Sequence, residues 1–122
     1  MTRFGLATLN HSPLHGLPTQ PEAHLDAAAA AGFDDLAPDV FWLRALEGEG
    51  VALSSVRDGL DRRGLGCLEI AGIAIGGEEA TRAEVEEQAR YAEALGATFV
   101  NARVVEPVDD EVVARARRAA EA

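Results

Sequence analysis

The sequence contains no lysine, a single cysteine and few aromatic residues, and each scarcity excludes a class of site. All eleven basic residues are arginine, which removes a Schiff-base lysine and the lysine of a phosphate-binding loop. With Cys67 as the single cysteine, the chain has no internal disulfide and no thiolate zinc site. No apolar run approaches membrane-spanning length, and the N-terminus lacks a basic segment followed by an apolar one. We therefore expect a cytoplasmic protein with no membrane partner.

The balance of charge is strongly acidic. The formal net charge is −10 over 122 residues, which opposes binding to a phosphate backbone, so no nucleic-acid partner is expected. Hydrophobic residues make up 48% of the chain, a share typical of an ordered globular protein. The length suits one core, and we predict a single domain over residues 1–122.

Glycines recur at a fixed interval. Gly32, Gly64 and Gly96 are separated by 32 residues both times, and each follows a helix-like segment and precedes an apolar, strand-like one. A glycine just past a helix commonly adopts the left-handed conformation that ends the helix. Helices and strands alternating at this period indicate repeated βα units around a parallel sheet.

The pattern predicts four such units. Strands are expected at about 3–10, 33–37, 66–73 and 98–104, and helices at about 20–31, 55–63, 82–95 and from 109 onward. Residues between 38 and 54 are predicted to form a long loop. Capping boxes are expected at Thr19 with Glu22 and at Thr81 with Glu84, and a helix cap at Asp109. Eight units would give about 256 residues, the usual size of a (β/α)8 barrel. The predicted fold class is therefore α/β, with parallel (βα)4 units that form half of a TIM barrel.

Four segments resemble the sugar phosphate isomerase/epimerase family of xylose-isomerase-like TIM barrels. They are "RFGLATLNHS", "HLDAAAAAGFDDLAP", "LDRRGLGCLEIAG" and "EVEEQARYAEALGATFVNARV", and they correspond to the N-terminal half of such a barrel. The resemblance implies a divalent metal (manganese, magnesium, cobalt or zinc) held by residues of later strands, and carboxylates that move protons beside a carbonyl. Because these segments include none of those strands, no bound metal and no activity are expected from this chain alone.

One position departs from the family pattern. Members often carry an acidic residue at the end of the second strand, where this sequence has Ala37. Asp39, two residues further on, is the candidate to occupy the same place.

Catalytic groups of such barrels lie at the carboxyl ends of the strands and in the loops that follow. This rule selects five candidate substrate-binding residues: His11, Trp42, Glu69, Asn101 and Arg103. Asn101 and Arg103 alternate along one strand and therefore share a face. Each candidate has a second interpretation. His11 could instead bind a metal with His15 or lie in a plain surface loop. Trp42, with Phe41, could wall a sugar pocket or cover the barrel edge, and Glu69 could be a buried structural partner of Arg103. Catalytic residues remain unassigned and no metal ligand is assigned.

The resemblance predicts that the intact parent is a metal-dependent isomerase or epimerase acting on a small polyhydroxylated carbonyl compound. Two alternatives stay open: a dehydratase or lyase on the same barrel, and a non-catalytic four-unit α/β module for binding or assembly. Because a half-barrel leaves the edges of its outer strands unpaired, a homodimer formed through those edges is also expected.

Overall fold

The structure is a computed structural model that describes residues 2–105 and 107–122. The strands are β1 (Gly5–Ala7), β2 (Asp35–Ala37), β3 (Gly66–Cys67), β4 (Glu69–Ile75) and β5 (Phe99–Val104). The helices are α1 (Pro21–Ala30), α2 (Val40–Gly48), α3 (Leu53–Arg62), α4 (Glu78–Leu95) and α5 (Asp110–Glu121). Two short 3-10 helices, Leu9–His11 and Pro13–His15, follow β1.

The strands are parallel and lie in sequential order. β2 pairs with β1 on one side and β3 on the other, and β4 pairs with β5. A parallel bridge between Asp39 and Ala71 joins the two sheets just after β2. Helix α1 contacts α3, α3 contacts α4, and α4 contacts α5, so these helices lie on one side of the sheet. This sequential βα winding is the half-barrel arrangement that the glycine period predicted.

The third predicted strand, at 66–73, is interrupted. Leu68 separates β3 from β4, and its N–H donates to the Leu36 carbonyl at 2.9 Å. A second irregularity follows at Gly72, where the register between β4 and β5 shifts. A Cβ at residue 72 would lie 2.9 Å from Asn101 Oδ1 and 3.0 Å from the Asn101 carbonyl oxygen. The two strands therefore approach closely only because position 72 has no side chain.

The periodic glycines end their helices as predicted. Gly32, Gly64 and Gly96 have φ values of +83°, +66° and +68°, in the left-handed region. The predicted cap of α5 is also confirmed, because the Asp109 side chain accepts a hydrogen bond from the Val112 N–H at 2.8 Å.

Both predicted capping boxes are wrong. Helix α1 follows Gln20 and has no side-chain cap, while the Thr19 hydroxyl donates to the Glu49 carboxylate at 3.0 Å. Helix α4 begins at Glu78, so Thr81 lies inside it, and the Thr81 hydroxyl accepts from the Gly76 N–H at 3.0 Å. In each case a tertiary or upstream partner takes the hydroxyl that the local pattern assigned to a cap.

The long loop predicted for 38–54 is also wrong, because it contains helix α2. Asp39 caps this helix by accepting from the Trp42 N–H at 3.1 Å. Val40, Leu43 and Leu46 form a stripe at helical spacing, and all three are fully buried. The second βα unit therefore contains two helices, and α2 covers the region just beyond β2.

The core lies between the sheets and the helices. Its buried members come from every helix except α5 and from β2, β3, β4 and the loop before β3: Leu25, Ala28, Leu36, Val40, Trp42, Leu43, Leu46, Val56, Leu60, Leu65, Cys67, Ile70, Tyr91 and Leu95. Among residues 2–105 and 107–122, none of the helices combines the length and the apolarity that crossing a bilayer requires.

Candidate functional site

Strand β5 presents two chemically different faces. Val100 and Ala102 line a cleft together with residues of α4 and α5, so they point toward the helices. Alternation then places Phe99, Asn101 and Arg103 on the opposite side of the strand. We call this side, with Glu69, Ala71 and Ala74 of β4, the inner face.

The polar side chains of the inner face are free in the part of the chain that the structure describes. Glu69, Asn101 and Arg103 form no side-chain hydrogen bond or ion pair with a described residue, apart from the close approach of Asn101 to Gly72. Every residue of β5 is exposed, and Phe99 has 60% of its surface exposed. The strand thus offers an amide and a guanidinium to a ligand without first breaking an internal contact.

The second interpretation of Glu69, as a buried structural partner of Arg103, is wrong, and the strand register explains why. Glu69 is aligned with Phe99, whereas Arg103 is aligned with Ala74. Four residues of strand separate the two levels, a distance of roughly 13 Å along the sheet. Glu69 therefore lies at the start of β4, deeper than Asn101, while Arg103 lies near the carboxyl end.

Trp42 is not the exposed aromatic wall that the sequence suggested. It lies in α2 with 0% of its surface exposed, and its indole N–H donates to the Thr19 carbonyl at 2.6 Å. A side chain with no accessible surface does not contact a substrate, so Trp42 is a core residue. Phe41 is half-buried beside it.

Asp39 stands near the end of β2, as expected for the acidic position missing at Ala37, but it is fully buried. One carboxylate oxygen accepts from the Thr8 hydroxyl and the other accepts from the Trp42 N–H. The Asp39 N–H in turn donates to the Thr8 hydroxyl oxygen at 2.9 Å. We call Thr8 and Asp39 the buried pair. Its hydrogen bonds join the end of β1 to the start of α2, which gives this carboxylate a structural role.

His11 is exposed in the 3-10 helix after β1, at the end of the sheet where the resemblance places ligands. Its ring contacts His24, with centroids 5.3 Å apart, and His15 makes no ring contact with described residues. Sequence reasoning missed His24, which lies in the first turns of α1. The available signal was its place on a helix that starts directly after the loop leaving β1.

Two buried ionisable groups are held neutral. Burial raises the pKa of the Cys67 thiol to about 12, so this cysteine stays protonated and unreactive near neutral pH. Burial also raises the pKa of Tyr91, and its hydroxyl donates to the Glu47 carboxylate at 2.9 Å. Neither group lies on the inner face.

The described residues do not fit the metal site that the resemblance implies. Across residues 2–105 and 107–122, histidine, cysteine, aspartate and glutamate nowhere form a group of three or more that could hold an ion. Asp39, the best-placed acid, already uses both carboxylate oxygens within the fold.

The sheet and its site geometry define a class: the fold is that of the N-terminal half of a xylose-isomerase-like TIM barrel, as the sequence resemblance predicted. Among solved structures, the chain is similar to a xylose isomerase domain protein from Alicyclobacillus acidocaldarius subsp. acidocaldarius, with a TM-score of 0.67 and 23% identity. It is also similar to an AP endonuclease of family 2 from Brucella melitensis (TM-score 0.66, 18% identity). A third is a fusion of a xylose isomerase-like TIM barrel with a 4-hydroxyphenylpyruvate dioxygenase (TM-score 0.68, 18% identity).

These similarities cover 98% of this chain in each case. They cover 45% of the xylose isomerase domain protein, 50% of the endonuclease and 21% of the fusion protein. The chain therefore spans at most half of the length of these structures. No family model and no curated protein matches the chain in sequence.

Proposed function

We propose that this chain forms the substrate-contacting N-terminal half of an isomerase or epimerase barrel that acts on a small polyhydroxylated carbonyl compound. The observation that carries the proposal is the inner face of β5, where Asn101 and Arg103 are exposed and have no side-chain partner among the described residues. Asn101 is the third and Arg103 the fifth of the six residues of β5, so Arg103 is the nearer to the carboxyl end, where barrels of this type bind ligands.

The chemistry of the two side chains suits such a substrate. An amide both donates and accepts hydrogen bonds, so Asn101 can orient a hydroxyl group. A guanidinium offers a planar fork of donors, so Arg103 can hold a carboxylate, a phosphate or an enediolate-like oxygen that gains charge during proton transfer. Exposed His11, in the 3-10 helix that follows β1, adds a further hydrogen-bonding group. Glu69 lies deeper and would contact only a ligand that reaches the start of β4.

Reactions of this kind commonly use a divalent ion to polarise the carbonyl oxygen. Because the described residues hold no three-ligand group, a manganese, magnesium, cobalt or zinc ion serving that role would need ligands beyond them. The residues of this chain would then bind and orient the substrate, and the chain alone would be inactive.

A dehydratase or lyase on the same barrel would use the same inner face, since it also begins by removing a proton beside a carbonyl. A non-catalytic binding or assembly module is the alternative of a different class. Cleavage of nucleic acid, suggested by the name of the endonuclease, is disfavoured by the net charge of −10.

The experiment is an NMR titration of the labelled chain with a ketopentose and with its phosphate ester. We expect weak binding, with chemical-shift changes confined to β5, β4 and the segment around His11. Arg103→Ala should abolish the tighter binding of the phosphate ester relative to the free ketopentose. Asn101→Ala should weaken the binding of both ligands. Arg117→Ala, which removes an exposed arginine of α5, is the matched control. Changes confined to the helix side, or equal effects of all three substitutions, would contradict the proposal.

We also propose that the chain self-associates through β5. Phe99, Val104 and Val105 are exposed by 60%, 41% and 57%, and β5 has no second strand partner among the described residues. An unpaired strand edge with exposed apolar side chains favours pairing with another chain. Sedimentation velocity should show a concentration-dependent dimer, and Val104→Lys should shift it toward monomer. A monomer at high concentration for the unsubstituted chain would contradict this.

A further inference from the structure

His11 and His24 lie in contact beyond β1, although they are thirteen positions apart in sequence. Their ring centroids are 5.3 Å apart and the ring planes are inclined by 68°. His11 is exposed and its side chain forms no hydrogen bond with a described residue, so its ring is free to turn about the Cβ–Cγ bond. The His11 ring can therefore reorient toward a shared ligand.

The His24 ring, in contrast, is held in place by a hydrogen bond and by packing. His24 Nδ1 lies 2.7 Å from the Thr19 carbonyl oxygen. Because a carbonyl only accepts, Nδ1 carries a proton, and in the neutral ring Nε2 then keeps its lone pair. Trp42 packs edge-on against the His24 ring, with centroids 5.8 Å apart, and donates to the same carbonyl. A histidine that donates one ring N–H to a backbone carbonyl and leaves the other nitrogen free has the outer-shell arrangement typical of metal ligands.

The spacing of the rings agrees with a shared ion. A zinc–nitrogen bond of about 2.0–2.1 Å places the centroid of a coordinating imidazole about 3.2 Å from the metal. Two such rings at the tetrahedral angle have centroids about 5.2 Å apart. The separation of 5.3 Å between His11 and His24 is close to that value before any ring has moved.

We propose that His11 and His24 form a two-imidazole site for a divalent transition metal of the zinc class, with water or a bound ligand in the remaining positions. Imidazole nitrogen suits zinc, nickel and copper, whereas magnesium prefers oxygen ligands. The net charge of −10 favours binding of a cation. This site differs from the metal site that the resemblance implies, because one ligand follows β1 and the other lies in α1. The proposal also goes against the expectation that this chain alone binds no metal.

The test is isothermal titration of the metal-free full chain with zinc, and with magnesium as the hard-cation control. We expect one zinc per chain and no measurable magnesium binding. His11→Ala and His24→Asn should each weaken zinc roughly tenfold or more. The asparagine amide can still donate to the Thr19 carbonyl, so His24→Asn removes the ligand and keeps the structural hydrogen bond. His15→Ala, which removes the neighbouring imidazole that takes no part in the pair, should leave the affinity unchanged.

Three results would overturn the proposal: no stoichiometric zinc binding, an equal loss in all three variants, or a loss in His15→Ala alone. Circular dichroism of each variant separates loss of a ligand from loss of the fold. If His24→Asn does not fold, His11→Ala decides the outcome, because the His11 side chain is exposed and has no hydrogen bond to a described residue that the substitution would remove. The readout is binding and requires no catalysis, so it stands independently of the proposed function.

Discussion

Polar side chains near the strand ends are used in two different ways in this molecule. Thr8 and Asp39, the buried pair, have 1% and 0% of their surface exposed and satisfy each other. Asn101 and Arg103, on the inner face of β5, are exposed and have no partner among the described residues. One of the two parallel sheets thus carries a polar pair that stabilises the fold, and the other carries polar side chains that are left available. Residue type and strand position do not distinguish these roles, whereas burial and hydrogen bonding do.

The largest expected effect is at Asp39. Asp39→Ala removes the cap of α2 and leaves the buried Thr8 hydroxyl without its acceptor, so it should lower the free energy of unfolding by about 3 kcal/mol. Asp109→Ala removes the cap of exposed α5 and should cost about 1 kcal/mol. Urea unfolding of both variants measures the difference. If both substitutions lower the free energy of unfolding equally, the buried hydrogen bonds between Thr8 and Asp39 contribute no stability beyond the helix cap.

The close approach of β4 to β5 gives the next effect. Gly72→Ala would place a Cβ within 3.0 Å of Asn101 and should cost about 2 kcal/mol as the strands move apart. Gly76→Ala is the control, because its Cβ would meet only Val105 Cγ2 at 3.5 Å, an ordinary contact. Thermal denaturation of the two variants compares them. A Gly72→Ala protein as stable as the control would contradict the register shift between β4 and β5 at Gly72.

A smaller effect is expected at Trp42. Trp42→Phe removes the hydrogen bond to the Thr19 carbonyl but leaves that carbonyl bonded to His24, so the cost should be about 1.5 kcal/mol. Phe41→Leu, in the same helix and without a hydrogen bond, should cost less. Since Trp42 is the only tryptophan, fluorescence provides a second check. Its emission should be blue-shifted and resistant to acrylamide quenching. A red-shifted, readily quenched emission would instead support an exposed loop at Trp42.

The smallest effect is predicted for the inner face. Asn101→Ala and Arg103→Ala should each change the free energy of unfolding by less than about 0.5 kcal/mol, since neither side chain has a described partner to lose. Urea unfolding under the conditions used for Asp39→Ala gives the comparison directly. A cost near that of Asp39→Ala would mean that these residues also serve the fold.

The parts of the fold that sequence predicted correctly depend on local requirements. Gly32, Gly64 and Gly96 mark helix ends because left-handed backbone selects glycine wherever it occurs. The cap at Asp109 is likewise a contact over three residues. Helix α2 was missed because Pro38 and the glycines at 48 and 50 enclose it and suggest a loop.

The site was predicted less completely because its geometry is tertiary. Alternation correctly grouped Asn101 with Arg103, but the register that separates Glu69 from Arg103 is set by pairing across two strands. The burial of Asp39 depends on Thr8, which is 31 residues away in sequence. The contact of His11 with His24 requires α1 to fold back over the end of β1. None of these three tertiary features can be read from a local sequence pattern.

Hydrogen exchange at the arginine Nε–H groups, followed by NMR, measures directly whether the inner face is free to bind a ligand. Arg44 donates from Nε to Glu87 at 2.8 Å and should exchange slowly, whereas exposed Arg117 should exchange fast. Arg103 should exchange as fast as Arg117 in the free chain and should exchange more slowly when a ketopentose phosphate is added. Protection of Arg103 equal to that of Arg44 in the free chain would contradict this expectation, because the guanidinium would then already be committed to the fold.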